Sequence, residues 1–106
     1  MSIYINIWTR SVVAAVDIPE GVFVKEDGTL GGCSGVSAHA CSKGNVASIL
    51  TIGEATVKVA NSQNISAGDW VTGDNSGLAT KSSAVPNAYC KALTASKEGL
   101  VRVLLK

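Results

Sequence analysis

Residues 18–30 read IPEGVFVKEDGTL, and residues 65–78 read ISAGDWVTGDNSGL. Both stretches have the same order: an Ile, a Gly three residues later, an aromatic residue followed by Val, and an Asp before Gly and Leu. Asp, Asn and Gly between short apolar runs are typical of β-hairpin turns, because these residues tolerate positive φ. Each stretch therefore predicts a β-hairpin, and the second hairpin has the longer turn.

The similarity continues beyond the two hairpins. Residues 33–38 after the first hairpin match residues 90–95 after the second, beginning with Cys33 and Cys90. A polar segment that ends in Gly then precedes an apolar segment in each half. We interpret residues 18–50 and 65–105 as two similar half-units, which bury together the surface that neither buries alone. The alternative is chance, since Gly, Val and Asp recur in many β-proteins.

Other segments also predict strands. Residues 56–60 (TVKVA) and 100–106 (LVRVLLK) alternate apolar with polar residues, which is typical of strands with one buried face. Helical signals are limited to single turns that residues 37–44 and 87–99 could hold. We therefore predict a mainly β fold with little helix: a small single-domain β-barrel or β-sandwich built from two hairpin-containing half-units.

The composition restricts the classes of partner. The chain has 106 residues, a formal net charge of +1 and 16% charged residues. Its lysines and arginines are scattered rather than gathered in a basic patch, so we expect no nucleic-acid partner. The sequence has no apolar run of bilayer length and no secretory signal pattern, so we expect no membrane partner. Aromatic residues make up 5%, which indicates a modest core that self-association would supplement.

Few residues are suited to catalysis or metal binding. The cysteines Cys33, Cys41 and Cys90 are odd in number, which favours reduced, buried thiols over a disulfide framework. With His39 they would supply four metal ligands, but their spacing differs from the close cysteine pairs of structural zinc sites. The carboxylates are scattered or lie in predicted turns, and no nucleophile has a base beside it in the sequence. We therefore predict no enzyme activity, no metal site and no cofactor.

The second half of the chain resembles the small capsid cement, or head decoration, proteins of tailed bacteriophages. The residues that carry the resemblance are ISAGDWV (65–71), GLAT (77–80), AYCKAL (88–93) and EGLVRVLL (98–105). The small size, the abundance of Ala, Gly and Ser, and the shortage of catalytic residues fit the same family. The resemblance covers residues 18–106 and does not extend to the N-terminal segment.

This resemblance implies a structural virion protein that binds the outer surface of a phage head and stabilises the capsid shell. Its partner would be the major capsid protein, and self-association as a homotrimer is expected. The implied location is the capsid exterior, after synthesis in the host cytoplasm. The alternative is a β-barrel binding or adhesion module, associated with a tail or a carrier protein, without catalysis. Because the chain begins with Met1 and ends in a predicted strand, we expect a complete protein rather than an excised module.

The N-terminal segment, residues 1–17, lies outside the repeat and is predicted as an arm or an edge strand beside a β domain of residues 18–106. Apolar and other residues alternate within SIYINIW (2–8), so we expect the three Ile side chains on one face and Tyr4 and Trp8 on the other. Strand addition to a capsid or neighbouring-subunit edge would use such a segment. The predicted contact residues are Ile3, Tyr4, Ile5, Ile7 and Trp8. An ordinary edge strand, or contact through the loops 25–29 and 73–77, is the alternative.

Overall fold

The computed structural model describes residues 5–61, 63–82 and 90–105, with side chains from residue 9 onward. These residues form seven strands: β1 (Ile5–Val13), β2 (Val36–Ser37), β3 (Val46–Lys58), β4 (Val71–Gly73), β5 (Ala79–Lys81), β6 (Cys90–Ala92) and β7 (Leu100–Leu105). The prediction of a mainly β chain is confirmed, and the described residues contain no helix. It follows that no helix long and apolar enough to cross a membrane occurs in this part of the chain.

The strands form two antiparallel sheets. The larger sheet has five strands in the order β1-β3-β7-β6, with β2 also paired to β3, and β4 and β5 form the smaller sheet. Strands β1 and β6 therefore lie at opposite ends of the four-strand path. Across residues 5–61, 63–82 and 90–105 the sheets do not close into a barrel, because no bridge joins β1 to β6.

Strand β3 is the centre of the larger sheet. Its residues 46–54 pair with β1, and its residues 53–58 pair with β7. The sequence predicts separate apolar segments at residues 46–50 and 56–60. Both segments lie along β3, a strand of 13 residues, and the residues that directly follow it. The single long strand connects the two halves of the chain through shared backbone hydrogen bonds.

The buried apolar side chains pack in two clusters. The larger cluster includes Phe23, Leu50, Val71 and Val103, and the smaller one includes Val22 and Ile49. Ile18 and Ile65, which begin the two similar stretches, are each 2% exposed and belong to different clusters. Because burial of an Ile side chain contributes about 1.5–3 kcal/mol, each of these isoleucines is an anchor of one cluster.

Both predicted hairpin turns are present. In the first, the Lys25 amide donates to the Thr29 carbonyl at 2.7 Å, and in the second the Asp74 amide donates to the Leu78 carbonyl at 2.9 Å. The Asp27 carboxylate accepts bonds from the amide and hydroxyl of Thr29. These side chain–backbone bonds are the reason that Asp is favoured at the start of such turns.

The two hairpins contact one another at glycines. The Gly73 amide donates to the Gly32 carbonyl at 2.6 Å. A Cβ atom on Gly73 would lie 2.7 Å from the Cβ of Phe23 and 2.8 Å from the Gly32 carbonyl oxygen, which is closer than packed atoms tolerate. The glycines therefore permit the close approach of the two hairpins.

The two halves make matching backbone hydrogen bonds. They are Gly21 N to Ser37 O and Ser37 N to Val22 O in the first half, and Gly68 N to Ala92 O and Ala92 N to Asp69 O in the second. By these bonds, Ser37 in the first half is structurally equivalent to Ala92 in the second half. The sequence comparison, which aligned Cys33 with Cys90, is wrong here by two residues. The shifted alignment pairs Cys33 with Cys90, Val36 with Leu93 and Ala38 with Ala95, which agree better in residue type than the pairs that the hydrogen bonds give.

Candidate interaction surfaces

The described residues present no metal centre. In residues 5–61, 63–82 and 90–105, no three His, Cys, Asp or Glu side chains are grouped to hold a metal ion. His39 is exposed, and all three cysteines are free thiols. Burial raises the pKa of the Cys90 thiol because desolvation disfavours the thiolate, and charge repulsion from the nearby Cys33 raises it further. Cys90 therefore remains a protonated, apolar packing residue at neutral pH.

The surface clefts are lined by loops. A cleft of about 340 Å³ has Asn61, Gln63 and Ser96 among its lining residues. Another of about 390 Å³ contains His39 and Cys41, but the Cys41 thiol donates to the carbonyl of Ser42 at 3.5 Å. The geometry therefore gives no evidence of a thiol activated by an imidazole. The features of interest are exposed strand edges, turns and one face of the larger sheet.

The predicted contact residues lie at the start of β1 or before it. Ile5, Ile7 and Trp8 belong to β1, and the backbone of this strand pairs with β3. Ile3 and Tyr4 lie outside the described residues. The structure thus places the backbone of residues 5–8 at an outer strand of the larger sheet.

The backbone pairing of β1 with β3 shifts in register near Trp8. Asn6 lies opposite Gly53, Trp8 lies opposite Ile52, and Thr9 lies opposite Leu50, so the register shifts on both sides of Trp8. An extra residue on β1 and an extra residue on β3 compensate each other, and regular pairing resumes at Thr9. The backbone pairing of residues 5–9 is therefore irregular, and the predicted faces of the side chains in residues 2–8 stay a prediction.

The outer edge of β1 is not paired with another strand among the described residues. Val13 and Val46, opposite each other on β1 and β3, are 61% and 67% exposed. An edge of this kind presents unpaired backbone donors and acceptors, to which a further strand can add. This edge is therefore one candidate surface.

The hairpin tips are a second candidate. Lys25, Glu26 and Asp27 are exposed at the first tip, and Asn75 and Ser76 at the second. Glu26 pairs with Arg10 of β1 at 3.1 Å, which connects the first tip to the edge strand. Hydrogen bonds from the Thr29 hydroxyl and amide hold the pKa of Asp27 below its usual value, so this tip carries negative charge at neutral pH.

The third candidate is the outer face of the larger sheet, on the side away from the core. Cross-strand partners place Glu54, Leu104, Lys91 and Trp70 in one row. The Lys91 ammonium lies 5.2 Å from the centre of the Trp70 ring, within the range of a cation–π interaction. Arg102 pairs with Glu54 at 3.4 Å in the adjoining row. The outer face therefore combines apolar, aromatic and charged side chains.

The outer face cannot be recognised from the sequence alone. The alternation of residues 100–106 is the only local signal, and it predicts Leu100, Arg102 and Leu104 on one side of a strand. Trp70 and Glu54 join them only through strand pairings between segments far apart in the sequence. The register of the sheet is needed to find this surface.

Comparison with known proteins gives the same family as the resemblance noted in the sequence, but the match also includes residues 6–17, to which that resemblance did not extend. The sequence profile of the phage cement protein family matches residues 6–106, which is nearly the whole chain and includes both hairpins and all seven strands except the first residue of β1. A search of curated proteins finds no match. The predicted family is confirmed: the chain belongs to the phage cement protein family and is a structural component of the phage capsid.

Proposed function

We propose that the protein binds the outer surface of a phage head and stabilises the capsid shell. The family match over residues 6–106 carries this proposal. A cementing protein acts by covering and joining neighbouring subunits, so it needs broad contact surfaces of the kinds described above. The near-neutral charge also fits binding to a protein shell better than binding to packaged DNA.

The proposed capsid contact is the N-terminal segment with the outer edge of β1. One side of β1 is occupied by β3, so a strand of the major capsid protein would add to the other side. The contact residues would be Ile3, Tyr4, Ile5, Ile7 and Trp8. Aromatic residues supply much of the energy at protein interfaces, which is why Tyr4 and Trp8 are assigned to pockets on the partner.

The proposed assembly on the capsid is a homotrimer on the virion exterior, made in the host cytoplasm before attachment. Its support is the family membership and the modest core expected for a chain with 5% aromatic residues. Contacts between copies would add buried surface to each subunit and raise its stability by mass action. Light scattering at micromolar concentration, with microscopy of decorated heads, measures the copy number free and bound.

The proposed organisation is an N-terminal edge strand (residues 1–17) beside a single β domain (residues 18–106) made of two similar half-units. The matching hydrogen bonds of Ser37 and Ala92 support the repeat. The matching bridges support it as well: Phe23 pairs with Val36, and Trp70 pairs with Lys91. Two such units give one small chain two similar hairpins.

Co-sedimentation with purified expanded heads tests the proposed contact. The full chain should sediment with heads, whereas a variant lacking residues 2–8 should stay folded and remain in the supernatant. Residues 9–13 keep their pairing with β3 in this variant, so its fold can be retained. Lys43→Ala is a matched control, because Lys43 is exposed outside β1 and should not affect sedimentation.

Two results would contradict the assigned contact. Unfolding of the truncated variant, measured by circular dichroism, would mean that residues 2–8 belong to the core. A folded truncated variant that binds heads with unchanged affinity would place the contact elsewhere, first of all on the loops 25–29 and 73–77.

A further inference from the structure

The outer face has the composition of an interface rather than of a solvated sheet surface. It consists of Glu54, Thr56 and Lys58 on β3, Leu100, Arg102 and Leu104 on β7, and Lys91, Leu93 and Trp70 at the β6 edge. Leu93 is 37% exposed, and Trp70, Lys91 and Leu104 are half-buried. Trp and Arg side chains among exposed apolar residues are the types that contribute most binding energy at interfaces.

Arg102 retains unused hydrogen-bonding capacity on this face. Its side chain is 35% exposed and makes one contact with Glu54 at 3.4 Å. Its Nε atom is buried and has no hydrogen-bond partner in the described part of the chain. The face carries Lys58, Lys91 and Arg102 against the single carboxylate of Glu54, so its net charge is positive. A partner that fits this face therefore brings carboxylates.

The same chain has an acidic segment. Residues 17–27 expose Asp17, Glu20, Glu26 and Asp27, with Lys25 as the only cation among them. This acidic segment is attached to β1 by the ion pair of Glu26 with Arg10. The Lys58 amide donates to the Gly21 carbonyl at 2.9 Å, so the Glu20 end of the acidic segment adjoins the Lys58 end of the outer face. The Glu26 end lies at β1, which is at the opposite end of the order β1-β3-β7-β6 from the Trp70–Lys91 pair.

We propose that the outer face of one subunit docks the acidic segment of a second copy. This inference rests on the proposed self-association and specifies the two surfaces that make it. Because the two surfaces are different, the contact is head-to-tail, and repetition of one rotation closes such contacts into a ring. A homotrimer is a ring of this kind. Charge complementarity between the surfaces sets the order and orientation of the copies.

Charge reversal tests the pairing of these surfaces. Variant one carries Lys58→Glu and Lys91→Glu on the outer face, and variant two carries Glu20→Lys and Glu26→Lys on the acidic segment. Each variant places like charges across the contact, so sedimentation velocity should show self-association weakened by at least about tenfold. A variant with all four substitutions restores opposite charges and should recover the association. Asn75→Glu and Glu98→Lys, exposed outside both surfaces, are matched controls that should associate normally.

The outcomes separate this inference from the proposed function. If the wild-type protein forms oligomers that neither double variant weakens, or if the fourfold variant fails to recover, the surfaces are wrong while the capsid role stands. If the wild-type protein is a monomer both free and on heads, the proposed trimer itself fails. If circular dichroism shows that a double variant is unfolded, a salt titration of the wild-type protein tests the inference instead. Self-association must weaken as the NaCl concentration rises from about 0.05 to 0.5 M. An oligomer that is unchanged by salt contradicts the inference.

Discussion

At the scale of single residues, glycines set how closely the two hairpins approach. Gly73 donates its amide to Gly32 at 2.6 Å, and a Cβ atom at Gly73 would meet Phe23 of the larger cluster. The atoms in the way are backbone and a buried Cβ, which cannot move aside as a flexible side chain would. Any side chain at position 73 therefore has to separate the hairpins.

Gly73→Ala should lower the free energy of unfolding by about 1–3 kcal/mol, the usual cost of overpacking a close contact. Urea unfolding followed by tryptophan fluorescence measures the change. Asn75→Ala, at the exposed tip of the same hairpin, is the control and should change stability by no more than about 0.5 kcal/mol. A Gly73→Ala protein as stable as the wild type would show that the hairpins are not in contact at this point.

Glu98 has a φ of 55° in the two-residue turn that joins Lys97 to Leu100, followed by Gly99 at 76°. Positive φ at both turn positions favours Asn-Gly over Glu-Gly, because Asn tolerates this region at lower cost. Glu98→Asn should therefore raise the free energy of unfolding by about 0.5–1 kcal/mol. Thermal unfolding compares the stability of Glu98→Asn with that of the control Lys97→Asn, in which Asn has no conformational advantage over the residue that it replaces. An equal or lower stability for Glu98→Asn would contradict the turn geometry.

Cys90 is fully buried in the larger cluster, whereas Cys33 is half-buried beside it. Cys90→Ser places a hydroxyl in apolar surroundings and should lower stability by about 1–2 kcal/mol, while leaving capsid binding intact. Cys33→Ser should cost less because this side chain retains access to water. Denaturant unfolding and head co-sedimentation measure the two effects. Stoichiometric zinc, or a disulfide found by mass spectrometry, would disprove the assignment of reduced, structural thiols.

Asp27 gives a pH dependence whose sign follows from its hydrogen bonds. The Thr29 hydroxyl and amide lower the pKa of Asp27 in the folded state below 3.8, so its stabilising effect is present above that pH and is lost as the pH falls through the folded pKa. Asp27→Asn should remove this dependence. Between about pH 5 and pH 2.5 the variant should lose less stability than the wild type, and parallel stability curves would rule out this role.

At the scale of strands and hairpins, the sequence predicts the features that residues close together in the chain determine. The turns at residues 25–29 and 73–77 follow from Asp, Asn and Gly, and the alternation of β7 follows from its period of two. The partners of β3 do not follow in this way, since pairing with both β1 and β7 is decided by contacts between distant segments. The compensating shifts around Trp8 likewise have no local signal.

The candidate surfaces also differ in whether they can be predicted from the sequence. Ile5, Ile7 and Trp8 are recognisable in the sequence because aromatic and apolar residues gather at one chain end. The outer face is assembled from β3, β6, β7 and the strand residue Trp70, and it becomes visible only through cross-strand register. Sequence therefore predicts a surface made by one segment better than a surface made by four.

At the scale of the whole molecule, the sheet order separates the β1 edge from the Trp70–Lys91 pair, which lie at opposite ends of the path β1-β3-β7-β6. The acidic segment contacts β1 through Glu26 and β3 through Gly21. A subunit arranged in this way can contact a capsid strand at β1 while it contacts neighbouring copies through the acidic segment and the outer face. Attachment and self-association then use different residues, so variants can separate them.

Cryo-electron microscopy of expanded heads incubated with the purified protein shows whether the protein binds the outside of the shell. We expect added density on the outer surface of the shell, bridging neighbouring capsid subunits and touching them through the N-terminal strand. Heads incubated with the variant lacking residues 2–8 should lack this density. Heads that remain bare with the full-length protein, or that carry it only on the inner surface, would contradict the proposed function.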